Sequence, residues 1–267
     1  MRLYPALDIG VGDFDLMLAT LDDFSPTAIE ERGDTLRAFF PTMEARDAAL
    51  TALADRFTVN ALDVSDEDWA RRSQEDLQPV TVGRVTVVPT HSAIRNPQSA
   101  IVIVVQPSMG FGTGHHATTR LCLEALQHVN VGGKRVLDVG TGSGILAIAS
   151  SRLGAIDAAG IDVDADAIQA ARENLTLNPD ALRVRFEVID LAGAPLPTAD
   201  VVVANLTGAL LVRQSAALRA AVAANGVLIV SGLQTDERDA VIGALKPAVV
   251  IWEREEDSWI GLAMKNP

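Results

Sequence analysis

The chain has 267 residues, 48% of them hydrophobic and 21% charged, with 22 basic against 35 acidic residues and a net charge of −13. This length suits one large α/β domain with a small partner; no run approaches the ~20 apolar residues that span a bilayer, and so acidic a chain repels a phosphate backbone. The single cysteine, Cys122, cannot form an internal disulfide, and the first residues reach Asp8 before any apolar stretch of signal-peptide length, so the expected location is the reducing cytoplasm.

In chain order, residues 3–11 read as extended and lead into a helical stretch with Phe14, Leu18 and Leu21 on one face. Strand-like runs at 27–31 and 35–40 flank the turn signal Gly33-Asp34. Thr42, ahead of Met43-Glu44-Ala45-Arg46, marks a helix start, with Ala49, Leu50 and Leu53 on the apolar face, and residues 57–64 close as a strand. The order β-α-β-β-α-β predicts a small ferredoxin-like α+β domain over residues 1–64. Residues 1–60 carry eleven acids against five arginines. Such a surface draws a basic protein partner or serves solubility alone.

Residues 65–99 read as a connector, with a short capped helix at Ser65-Asp66-Glu67-Asp68-Trp69, a strand over 80–88 and a break at Asn96-Pro97-Gln98-Ser99. From residue 100 the pattern changes: apolar runs at 101–105, 135–139, 158–161, 201–204 and 227–230 alternate with helical segments. Strands buried on both faces look like this, so residues 100–267 are predicted to form an α/β domain with a mainly parallel, Rossmann-like sheet and helices on both sides.

The run Asp138-Val139-Gly140-Thr141-Gly142-Ser143-Gly144 joins a strand to a helix at the carboxyl end of that strand, where open α/β sheets bind ligands. A dinucleotide fingerprint needs glycine or alanine at position 145, where Ile145 stands. An acid two residues before the glycines is of little use to a phosphate, because two anions would face each other. It suits S-adenosylmethionine, which carries an α-ammonium. The second strand ends Gly160-Ile161-Asp162-Val163-Asp164, at the spacing where an acid accepts both ribose hydroxyls of an adenosine; Asp162 takes that role and Asp164 caps the next helix. Asp190, after the third strand, either meets the adenine amino group or caps a loop. Asn205, ending the fourth, either orients an acceptor amine or makes a turn. The Asn lacks the Pro-Pro-aromatic continuation that stacks a flipped base, so nucleic acid is not the expected substrate. A glycine-rich phrase at 110–119 suggests a flap entering a helix, with Thr118 and Thr119 where amides and hydroxyls are offered to a ligand. Adjacent histidines rarely share a metal and His91 and His128 add no helpful spacing, so none is expected at His115 and His116.

The phrase Phe111-Gly112-Thr113-Gly114-His115-His116-Ala117-Thr118-Thr119, with the glycine run, Asp162 and Ala204-Asn205-Leu206, resembles the PrmA family, which methylates protein eleven of the large ribosomal subunit. The likeness runs from Ser65 to the C-terminus, taking in Asp66-Glu67-Asp68-Trp69, Val87-Val88-Pro89, Ser231-Gly232-Leu233 and Trp259. It implies a class I methyltransferase using S-adenosylmethionine, cofactor contacts at Thr119, Gly140, Asp162 and Asn205, and a basic ribosomal protein as partner, bound by the small N-terminal domain. Acceptors would be lysine ε-amines, with an α-amine as a further candidate. Thr141 departs from a cysteine common in that family, and Leu206-Thr207-Gly208 from isoleucine, leucine and alanine. On the sequence, the rivals are another N-methyltransferase on the same scaffold, a non-catalytic S-adenosylmethionine-binding assembly factor, and a nicotinamide oxidoreductase; the last is disfavoured by Ile145.

Overall fold

The structure, a computed structural model, describes residues 3–10, 17, 21, 24, 26–32, 35–54, 56–65, 78–90, 101–106, 116–191, 193 and 195–267. The chain divides into two units, Met1–Glu75 and Asp76–Pro267.

In the first unit, β1 (Leu3–Gly10), β2 (Ala28–Arg32), β3 (Thr35–Phe39) and β4 (Val59–Ser65) form an antiparallel sheet in the order β2-β3-β1-β4, with α1 (Met43–Leu53) between β3 and β4. This is the sheet of a ferredoxin-like unit. Period-two alternation puts Leu7, Ile9, Leu36 and Ala38 into one core with Met17, Leu21, Ala49 and Leu53. Phe14 and Leu18 lie outside the described residues, as does the Gly33-Asp34 turn. Thr42 caps α1, its hydroxyl accepting from the Ala45 amide at 3.2 Å. Directly across the β1–β3 ladder, Arg37 donates two bonds to the Asp8 carboxylate, each 2.5 Å long. Asp8 is thereby committed to an internal pair, and so withdrawn from any acidic docking surface.

The second unit corrects two expectations. Residues 80–88 are two strands, β5 (Val80–Val82) and β6 (Val85–Pro89), and not one. β7 (Ile101–Val105) does not join the large sheet: it pairs in parallel with β6 in a separate three-stranded sheet, and its burial alternates along the strand. An unbroken apolar run reports that a strand is buried, not which sheet buries it. The β5–β6 hairpin, which replaces the single strand expected in the connector, lies within this unit. The short helix expected at 65–69 and the break at 96–99 fall almost wholly outside the described residues.

The remaining elements are α2 (Ala117–His128), β8 (Arg135–Val139), α3 (Ile145–Arg152), β9 (Asp157–Asp162), α4 (Ala165–Thr176), β10 (Val184–Val188), β11 (Ala199–Asn205), α5 (Gly208–Arg213), α6 (Ser215–Ala221), β12 (Val222–Gln234), α7 (Arg238–Ala244), β13 (Val249–Glu256) and β14 (Trp259–Lys265). Seven strands run in the order β10-β9-β8-β11-β12-β14-β13, the first five parallel and β14 antiparallel to both its neighbours. Alternate residues of each inner strand face opposite cores. Val136, Val201, Val203 and Ile229 meet Leu123, Leu126 and Ile148 on one side. Leu137, Val202, Leu228 and Val230 meet Leu211, Leu218 and Val241 on the other. Each such side chain contributes about 1.5–3 kcal/mol of burial, which secures the strand ends that carry the site. Among the described residues no helix is long and apolar enough to cross a membrane.

Candidate active site

The order β10-β9-β8-β11 sets the ends of four strands side by side, and β8 turns there through the glycine loop into α3. The amides of Gly140 and Thr141 both donate to the Ile161 carbonyl at 2.9 Å, which holds the loop over the end of β9. Asp162 receives the next residue: its Oδ2 accepts from the Gly142 amide at 3.0 Å and its Oδ1 from the Asp164 amide at 3.1 Å. A carboxylate has about four acceptor positions, so capacity for two hydroxyl donors remains. Asp164 caps α4, accepting from the Asp166 amide at 2.9 Å.

A cleft of about 1050 Å³ opens at these strand ends. Gly140, Gly142, Asp162, Asp190 and Asn205 all line it, as does Trp259. Much of the wall is apolar, through Ile161, Val163, Ile189, Leu206 and Leu210. Among the described lining residues Arg213 is the only guanidinium or ammonium, set against Asp162, Asp164 and Asp190, so the cleft favours a cationic ligand over a polyphosphate.

Two sequence-predicted residues stand elsewhere. Asp138 does not line the cleft: it is 1% exposed, and its Oδ2 accepts from the Thr141 hydroxyl at 2.6 Å and the Ala147 amide at 3.2 Å. Burial pushes its carboxyl up to about 7; the bonds from Thr141 and Ala147 oppose the rise and the nearby Asp162 charge adds to it. Thr119 is likewise buried, its hydroxyl 3.5 Å from Asn205 Nδ2, while the neighbouring Thr118 faces the cleft. Consecutive helical residues point about 100° apart, so only one of the pair can face the ligand.

His116 caps α2, its Nδ1 accepting from the Thr118 amide at 3.3 Å, and its ring meets Trp259 edge-on at 5.0 Å. Among the described residues no group of three His, Cys, Asp or Glu side chains is placed to hold a metal. Leu206 is fixed between two glycines. Gly140 has φ +70°, and a Cβ on it would lie 2.5 Å from Leu206 Cδ2; Gly232 has φ +88°, and a Cβ on it would overlap the Leu206 carbonyl. The glycine loop, the end of β11 and the end of β12 thus interlock.

The family model described as Ribosomal protein L11 methyltransferase (PrmA) matches residues 21–267. The chain belongs to that family. Relatives bearing the name ribosomal protein L11 methyltransferase include one from Deinococcus radiodurans, 36% identical over 245 residues, covering 88% of this chain and 86% of that protein. Another, from Geobacter sp. strain M21, is 39% identical over 211 residues, covering 76% and 69%. The crystal structure of a ribosomal protein L11 methylase from Lactobacillus delbrueckii subsp. bulgaricus is 27% identical and superposes with a TM-score of 0.64, covering 72% of this chain and 99% of that one. The chain is accordingly a methyltransferase of class I architecture.

Reading the residues missed the role of Asp138 as a brace; Gly232 and Trp259 entered only through the family likeness. Nothing local to Trp259 announces a cleft, because it reaches the site on β14, the last strand of the chain.

The Asp138 brace has a pH signature. A native carboxyl near 7 against 3.8 for the free side chain means that the folded state binds more protons than the unfolded one between those values, so stability falls as pH rises through that window. The cost is on the order of 4 kcal/mol once Asp138 is fully ionised. Asp138→Asn keeps an acceptor for both donors and is expected to flatten the dependence. Thermal melts of the cofactor-free protein from pH 4 to 8 check it; parallel curves for the two proteins would refute the assignment.

Proposed function

We propose that this methyltransferase transfers methyl groups from S-adenosylmethionine to lysine ε-amines, and to an α-amine, of ribosomal protein L11. The observation that carries the reading is the convergence of the glycine loop, Asp162, Asp190 and Asn205 from four adjacent strands in one cleft of net negative charge. That set of groups fits S-adenosylmethionine: Asp162 to accept from the ribose hydroxyls, Asp190 at the adenine end, the glycine loop for the amino-acid portion. When bound, it supplies a sulfonium methyl that an unprotonated amine attacks in line, the N–C bond forming as the S–C bond breaks.

The chain's own residues prepare that amine. The apolar wall lowers the pKa of a buried ammonium. Asn205 offers an uncharged acceptor, which orients an amine without stabilising its protonated form as a carboxylate would. The N-terminal unit recognises the substrate: residues 1–75 hold sixteen acids, seven arginines and no lysine, complementary to a basic ribosomal protein.

Incubating the purified enzyme with methyl-labelled S-adenosylmethionine and L11 should label L11; absence of label overturns the substrate reading. Asp162→Ala should weaken S-adenosylmethionine binding roughly ten- to a hundredfold, since one charged acceptor is worth ~1.5–3 kcal/mol. Unchanged affinity by calorimetry would sink the ribose assignment.

A further inference from the structure

Three consecutive residues of the glycine loop are each held by a side chain from outside it. Asp138 holds Thr141 and Asp162 holds Gly142. The third anchor is Asn174 on α4, whose Nδ2 donates to the Ser143 carbonyl at 2.9 Å. Asn174 is 1% exposed, and its Oδ1 accepts from the Gln106 amide at 2.7 Å, just past β7. One turn on, Asn178 fills the place of a strand beside β7. Its Oδ1 accepts from the Val104 amide at 2.9 Å, and its Nδ2 donates to the Val104 and Asn174 carbonyls, both at 2.7 Å. Asparagine is a poor helix former and is costly to bury, so two buried, hydrogen-bonded asparagines at helical spacing mark a junction and not a packing face.

We propose that Asn174 is a positioning residue for the cofactor: by fixing the Ser143 carbonyl it sets the peptide joining Ser143 and Gly144, and with it the turn that presents Gly142 to the cleft, before any ligand arrives. The Gly144 amide of that peptide donates to the Thr141 carbonyl at 2.9 Å, and Asn174 fixes its carbonyl end, where the bordering glycine leaves the backbone free to rotate. Ordering it in advance removes that loss of freedom from the binding step. The two asparagines separate the roles. Asn178 ties β7 to α4 without touching the loop, whereas Asn174 touches both. The inference rests on S-adenosylmethionine being the ligand of the cleft.

The test is calorimetric titration of S-adenosylmethionine into the full-length wild type, Asn174→Ala, Asn174→Ser and Asn178→Ala, each below its melting temperature, with kcat and KM measured alongside. The Asn174 variants should bind about tenfold more weakly, and should raise KM for S-adenosylmethionine more than they lower kcat. Asn178→Ala should melt earlier yet bind within about twofold of wild type. Asn174 variants that melt earlier but bind normally would overturn the proposal, as would Asn178→Ala weakening binding equally. Should the Asn174 variants not fold, exchange of the Asn174 carboxamide protons in the wild type decides: saturation with S-adenosylmethionine should slow it about tenfold, and unchanged exchange refutes the coupling. A wild type that does not bind S-adenosylmethionine would instead sink the cofactor reading.

Discussion

Shortened to residues 76–267, the protein is expected to bind S-adenosylmethionine about as well as the full chain and to methylate ribosomal protein L11 orders of magnitude more slowly. Every described residue that lines the cleft lies at position 116 or beyond, and among the described residues the cores on the two faces of its sheet use none from the first unit. The first unit has a core of its own around Leu7, Ile9 and Phe40, so its removal exposes no half-built sheet. What is lost is the concentrated negative charge that would hold a basic substrate. Raising salt should therefore weaken methylation by the full chain far more than cofactor binding, as a Debye length near 8 Å at physiological ionic strength shrinks further. Steady-state rates for both forms across a salt series check this. Equal rates for the truncated and intact enzymes would show that recognition resides elsewhere.

Asn205→Ala should lower kcat by about a hundredfold or more while cofactor affinity changes only a few-fold. Asn205 ends β11, held in place from both sides: its Nδ2 lies 3.5 Å from the Thr119 hydroxyl, and the next residue, Leu206, is gripped by Gly140 and Gly232. A group so fixed suits alignment of an incoming amine, and a displacement of ~1 Å in such alignment is worth about a hundredfold in rate. Single-turnover measurement with saturating cofactor isolates that step. A kcat within threefold of wild type would reduce Asn205 to a turn residue.

The fold was most legible where local chemistry and tertiary context agree. β8 spans the five residues its apolar run indicates, and both the Thr42 and Asp164 caps form as their side chains suggest, because a cap is decided within three residues. That Asp162 and Asn205 would stand in one cleft was legible because strand order in an α/β sheet brings successive strand ends together. Legibility failed where the deciding partner is distant in sequence. β7 carries nothing that names β6 as its neighbour. Asp138 gives no hint that its carboxylate turns to Thr141 and Ala147. Asn174 reads as an ordinary polar residue in a helix until Ser143 and Gln106 are seen on either side of it.

The antiparallel course of β14 has a consequence for synthesis. Because β14 runs against β12, pairing Trp259 with Gln234, its first residue falls at the carboxyl ends of the parallel strands and becomes a wall of the cleft. A nascent chain emerging from the ribosome acquires the glycine loop and Asp162 early, but the wall made by Trp259 closes only after β14 has emerged and inserted beside β12. Translation order thus separates the time at which the glycine loop and Asp162 exist from the time at which the cleft is complete.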